Sequence, residues 1–108
     1  MGSEKEINRS FKANEYIEYA VKSVVSKTII KKPSGNITLF AFDKGEGLAE
    51  HSSPHEAFVQ IIEGTAEINI GGTLNKLSSG ECIILPADVP HSLSAVERFK
   101  MILTMIKN

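Results

Sequence analysis

Cysteine, tryptophan and long apolar runs are scarce or missing in this 108-residue chain, which has one cysteine and no tryptophan. The single Cys82 excludes an internal disulfide, and we expect a reducing, cytoplasmic setting. No apolar run approaches the roughly 18 residues of a membrane-spanning helix, and the polar first ten residues do not resemble a secretory signal. The formal net charge of −1, without a large basic cluster, argues against a nucleic-acid partner.

Short β-prone segments separated by glycine and proline turns fill the chain from residue 21 onwards, and no long helical period is present. This pattern predicts an all-β sandwich or barrel. We expect residues 1–20 to form a partly loose N-terminal segment, with a short strand or a single helical turn within 11–20, and residues 21–108 to form one domain. The predicted strands are 24–30, 37–43, 57–63, 66–70, 73–77, 81–85, 91–95 and 99–106, with a turn at Gly64 and Thr65.

Cys82 lies within one of these strands, between a glutamate and a run of isoleucines. No neighbouring base is in place to activate its thiol. We therefore interpret Cys82 as a small buried residue of a strand rather than as a nucleophile.

Two stretches place histidines at regular distances from glycine and proline. In 45–64, five residues separate the opening glycine from His51, and a glycine closes the stretch. In 80–91, five residues separate the opening glycine from Pro86, and a histidine closes the stretch. These spacings resemble the two motifs of the cupins, and the resemblance implies a jelly-roll barrel, also called a double-stranded β-helix.

The resemblance places the four metal ligands of that family at His51, Ser53, Ala57 and His91. Two of these four positions therefore carry a histidine, and two carry residues that are poor metal ligands. At the glycine position of the second motif stands Asp88, a residue type that tolerates a left-handed backbone.

His55 is an additional histidine near the first motif. Residues 51 and 55 share strand parity, but four extended residues span about 13 Å, so both reach one ion only if the chain bends near Pro54. We predict an inward-facing cluster of His51, His55 and His91 as a candidate metal site. The alternative is that His51 and His55 are loop residues that hydrogen-bond to the backbone.

Imidazoles without a carboxylate suit Zn, Fe, Ni, Cu or Co and disfavour the hard ions Mg²⁺ and Ca²⁺. The identity of the metal stays open at this point. An ion at these histidines would act as a Lewis acid or hold a small molecule in its open positions.

Three hypotheses for the function follow. The resemblance implies a metal-dependent enzyme of the oxygenase, isomerase or decarboxylase type acting on a small organic substrate. The alternatives are a non-catalytic cupin that binds a sugar or aromatic molecule without metal, and a structural module whose main surface is a homodimer interface. We expect the protein to form a homodimer. The predicted ligand-binding residues are Ser53, Ala57, Phe40, Phe58, Gln60 and Met101.

Overall fold

The computed structural model describes residues 9–107, and this range is almost entirely β-structure, as predicted. A single 3-10 turn at Ala13–Glu15 precedes the strands, so the helical turn is the correct alternative for part of 11–20. The predicted looseness of residues 1–8 lies outside the described range. The strands are β1 (Val24–Lys32), β2 (Gly35–Phe42), β3 (Gly47–His51), β4 (Glu56–Ile70), β5 (Thr73–Ser78), β6 (Cys82–Leu85), β7 (His91–Ser94) and β8 (Phe99–Ile106).

The strands form two antiparallel sheets that share one strand, β4. Sheet A has the order β1-β2-β8-β4-β6, and sheet B has the order β5-β4-β7-β3. The first half of β4 pairs with β8 and β6, whereas its second half pairs with β5 and β7. Because one strand belongs to both sheets, the sheets curl over each other and enclose a common interior.

The structure corrects the prediction of two strands at 57–63 and 66–70 with a turn at Gly64 and Thr65. This segment is one continuous strand of 15 residues. Its register shifts between Ile61 and Glu63, and Gly64 has a φ of 78°. The glycine signal therefore marks an irregularity within a strand, where a residue without Cβ is needed, rather than a chain reversal.

The barrel interior is filled by inward-facing side chains from both sheets. Phe42 and Phe99 are fully buried and stack with their ring centroids 4.4 Å apart. Alternation along β8 sends Phe99 and Met101 inwards, in agreement with the predicted two-residue period. This core fills the barrel interior outside the cavity described below.

The N-terminal segment packs against the outer face of sheet A. Ile17 is 1% exposed, in a second apolar cluster with Leu39 of β2. The Tyr19 hydroxyl donates a 2.7 Å hydrogen bond to Glu63, and Nζ of the buried Lys100 lies 3.7 Å from the same carboxylate. These contacts attach the segment to β4 and β8.

Cys82 is exposed, so the interpretation of this residue as buried is wrong. It lies on β6, which within residues 9–107 is an edge strand paired with β4, and its Cα partner is Gln60. The neighbouring pair on the same strands, Phe58 and Ile84, is also exposed. Within residues 9–107, no helix is long and apolar enough to cross a membrane.

Replacing Gly64 by alanine is expected to destabilise the fold more than replacing Gly80 by alanine. Both glycines have positive φ, at 78° and 93°, which costs an alanine about 1–2 kcal/mol. A Cβ at Gly64 would also overlap the backbone carbonyl of Arg98, whereas a Cβ at Gly80 has open space. Urea unfolding should show the larger loss for Gly64→Ala; equal losses would contradict the role of Gly64 in the close strand approach.

Acid should weaken the attachment of the N-terminal segment through Glu63. The Tyr19 hydroxyl that donates to Glu63, helped by the charge of Lys100, holds the pKa of this carboxyl below its ordinary value. A lowered pKa in the folded state stabilises the protein above about pH 4.5, and this stabilisation is lost as pH falls through the lowered value. The melting temperatures of wild type and Glu63→Gln should therefore differ at pH 7 and converge on acidification.

Tyr19→Phe supplies a matched variant for this measurement. It removes the principal cause of the lowered pKa but keeps the ring, which stacks under the Arg98 guanidinium at 4.1 Å. The pH dependence should shrink in Tyr19→Phe. A difference between wild type and Glu63→Gln that stays constant down to pH 3 would show that Glu63 is not the titrating group.

Candidate functional site

A small cavity lies inside the barrel between the two sheets and has a volume of about 60 Å³. Small-molecule pockets commonly reach about 300–1,000 Å³, and a water molecule takes about 30 Å³ in the liquid. The cavity therefore has space for a very small occupant or for the end of a larger one. It is lined by Leu48, His51, Ser53, His55, Ala57, Leu85, His91, Leu93, Met101, Leu103 and Met105.

His51 and His91 form a cross-strand pair at this cavity. They are direct Cα partners on β3 and β7, and their ring centroids lie 4.4 Å apart in an edge-to-face arrangement. His91 is 6% exposed, whereas His51 lies at the surface, at the end of its strand. The pair thus reaches from the barrel interior to the solvent.

Both imidazoles are oriented by the backbone two residues before them. Nδ1 of His51 lies 2.8 Å from the carbonyl oxygen of Ala49, and Nδ1 of His91 lies 3.2 Å from that of Val89. A carbonyl oxygen can only accept, so both Nδ1 atoms carry hydrogen and donate. In the neutral imidazole this leaves each Nε2 with a free lone pair.

The Nε2 atoms of both rings are available to a partner in the cavity or in solvent, since both residues line the cavity. Within the described range, no buried side-chain nitrogen or oxygen lacks a hydrogen-bond partner. Within residues 9–107, each ring forms its hydrogen bond through Nδ1. Each Nε2 therefore retains access to solvent or to the cavity and can take an external donor or a metal ion.

His55 lines the same cavity from the loop between β3 and β4. Strand β3 ends at His51 and β4 begins at Glu56, so the predicted interruption around Pro54 is present. The His55 backbone N–H donates to Ser53 Oγ at 3.1 Å. The Ser53 carbonyl accepts a 2.7 Å hydrogen bond from the N–H of Asp88, which ties this loop to the loop before His91.

Asp88 has a φ of 65°, which confirms the left-handed backbone expected at this position. An aspartate adopts this conformation more easily than most other non-glycine residues. The turn between β6 and β7 therefore has the backbone shape expected where the second motif has a glycine. It places His91 at the start of β7.

The predicted binding residues divide into two groups. Ser53, Ala57 and Met101 line the cavity, as the three histidines do. Phe40 lies in the barrel interior against Phe42, with ring centroids 6.0 Å apart, but outside the cavity lining.

Phe58 and Gln60 also lie outside the cavity. They alternate along β4 with the buried Val59 and Ile61 and therefore face outwards. Their cross-strand partners on β6 include the exposed Cys82.

Five further residues that line the cavity were not predicted from the sequence. The alternation of β8 already placed Leu103 and Met105 on the same face as Met101, so these two could have been identified. The other three come from strands whose inward positions become evident only from the pairing of the sheets. They are Leu48, Leu85 and Leu93.

Among the described residues that line the cavity, none has an acidic or basic side chain other than histidine. Positions 53 and 57, where the resemblance places a histidine and a glutamate, provide only a hydroxyl and a methyl group. Among residues 9–107, no group of three or more His, Cys, Asp or Glu side chains is placed to hold a metal ion. The four-ligand centre of the family does not fit this donor set, and metal binding stays a prediction.

Comparison with known structures agrees with the observed fold. A Streptococcus pyogenes protein, described as the conserved SPY1581 protein of unknown function, is 34% identical with a TM-score of 0.91 and covers 96% of this chain and 91% of its own. A Leptotrichia buccalis protein described as a cupin 2 conserved barrel domain protein is 36% identical with a TM-score of 0.87. The match covers 90% of this chain and 47% of that one.

Similarity to curated proteins is lower and partial. "Polyketide synthase CurC" of Streptomyces cyaneus is 26% identical over 72 residues, which are 66% of this chain and 47% of that protein. "Protein SchB" of Streptomyces halstedii is 28% identical over 72 residues, which are 66% of this chain and 52% of that protein. The chain therefore spans about half the length of these relatives.

A family model described as "Cupin domain" matches residues 38–107. The matched range begins within β2 and contains both histidine stretches and all strands from β3 to β8. It covers well over half of the chain, and the barrel topology agrees with it. The chain belongs to the cupin family.

Proposed function

We propose that the protein binds a small organic molecule whose hydroxyl group hydrogen-bonds to the paired histidines in the barrel. The observation that carries this proposal is that both Nδ1 atoms are committed to backbone carbonyls while both Nε2 atoms stay accessible. Two acceptors cannot hydrogen-bond to each other. A ligand hydroxyl donates one hydrogen bond and complements one Nε2, and a diol complements both.

The size and polarity of the cavity limit the ligand further. A volume of about 60 Å³ accepts only the hydroxyl-bearing end of a molecule, so the remainder would lie at the mouth beside His51 and His55. The interior walls are leucine and methionine side chains, which favour an apolar end over a charged one. The polyketide synthase name of one curated relative is compatible with a small organic ligand.

A metal-dependent cupin enzyme is the second candidate. The observation in its favour is the same pair of Nδ1 contacts, because metal-bound histidines usually donate their other ring N–H to a carbonyl or carboxylate. His51 and His91 would then ligate through Nε2, with His55 beside them in the cavity. The protein would supply a site for an ion of the Zn, Fe, Ni, Cu or Co class.

Ligand binding can be tested by thermal shift on chelator-treated protein. The probes are short alcohols, diols and phenols, each paired with its methyl ether, which keeps the shape but cannot donate. Hydroxyl compounds are expected to raise the melting temperature, their ethers much less, and His51→Ala/His91→Ala should lose the response. Equal shifts from alcohols and ethers, or an unchanged response in the double variant, would overturn the proposal.

Metal binding can be tested by elemental analysis of untagged protein purified without chelators or a nickel column. The second candidate predicts near-stoichiometric metal in the wild type and its loss in His51→Ala/His91→Ala. A wild type that is empty and takes up no added Zn, Fe, Ni, Cu or Co would rule out this candidate. His55→Ala, measured beside them, shows whether the third histidine contributes.

A further inference from the structure

Two thioethers line the same cavity as the imidazoles. Met101 and Met105 both point from β8 into the barrel, and the described residues of the lining include no carboxylate, thiolate or ammonium group. Ser53 offers the one side-chain hydroxyl there, and its oxygen already accepts a hydrogen bond from the His55 N–H. The donor set of the cavity is therefore neutral nitrogen and neutral sulfur.

Met105 occupies a special position among these donors. It is the direct Cα partner of Ala57, the residue at which the cupin resemblance places a glutamate ligand. An alanine leaves the space of the longer side chain open, and the flexible thioether of the neighbouring strand can occupy it. Met101 lies four residues earlier on β8, about 13 Å along an extended strand, and is 1% exposed.

We propose that His51, His91 and Met105 form a site for a soft monovalent ion of the Cu(I) class. Thioether sulfur and imidazole nitrogen are donors that such an ion prefers, and the absence of carboxylates disfavours hard divalent ions. A single positive charge is also less costly than two in a cavity of neutral groups. This inference rests on the metal-binding candidate above and replaces the family's carboxylate by a thioether.

The test needs a background without Cys82. This thiol is exposed on an edge strand and would compete for any soft ion. In Cys82→Ser protein, we would measure Ag(I), as a redox-inert substitute, and Cu(I) under anaerobic reducing conditions, each by competition with a chromogenic chelator. Zn(II) provides the comparison with a divalent ion.

The variants are Met105→Leu and Met101→Leu, which remove sulfur while nearly conserving side-chain volume. Met105→Leu is expected to weaken Ag(I) and Cu(I) binding by roughly tenfold or more, a loss at least as large as that caused by removing an outer-shell partner. Met101→Leu should change the affinity less than about twofold, because Met101 pairs with Ile61 of β4 and lies about 13 Å along β8 from the position that pairs with Ala57. His51→Ala/His91→Ala should abolish binding.

An independent readout avoids the risk that a variant folds poorly. In Cys82→Ser protein with ¹³C-labelled methionine methyl groups, Ag(I) should shift the Met105 methyl resonance at one equivalent. Unchanged affinity in Met105→Leu with metal still bound would overturn the thioether assignment and leave the metal-binding candidate intact. A loss in Met101→Leu instead would overturn the choice of Met105. If none of the ions binds, both the thioether site and the metal-binding candidate are overturned, whereas the hydroxyl-ligand proposal stands.

Discussion

The continuity of β4 through both sheets is the constraint on which the rest of the barrel depends. Its first half holds β8 and β6 in sheet A, and its second half holds β7 and β5 in sheet B. The shift between Ile61 and Glu63, followed by the positive φ of Gly64, lets a single strand turn from one sheet to the other. Without it, the two inner faces would not enclose a common interior.

The geometry of the cavity follows from this division. His91 pairs with Ile70 in the second half of β4 and with His51 on its other side, whereas Met105 pairs with Ala57 in the first half. The imidazole pair and the Met105 thioether therefore belong to different sheets and line the same cavity. A shift of one residue in the pairing of β7 or β8 with β4 would turn these side chains outwards. The pairing register along β4 therefore determines which side chains face the cavity.

The sequence predicted the fold class and most strand positions because alternation, β-branched residues and glycine or proline turns are local signals. The spacing of the two motifs places His51 and His91 at one cavity, whereas His55 lies outside the motifs and joins them because the chain is interrupted around Pro54. The sequence prediction failed at Gly64, where the same glycine signal can mean a turn or a bulge. The outward positions of Phe58 and Gln60, and the leucines of the lining, depend on pairing between distant strands and are not local properties.

Charge decides which occupants the cavity can accept. The described lining consists of leucine, methionine, alanine, serine and histidine, and it includes no carboxylate to balance a divalent ion, which would need an anionic co-ligand. A hydroxyl group brings no charge at all, and a soft monovalent ion brings a single one. Both proposals therefore arise from the same two substitutions relative to the family pattern, serine at 53 and alanine at 57. These changes remove two ligands and leave the paired Nε2 atoms as the polar end of an otherwise apolar space.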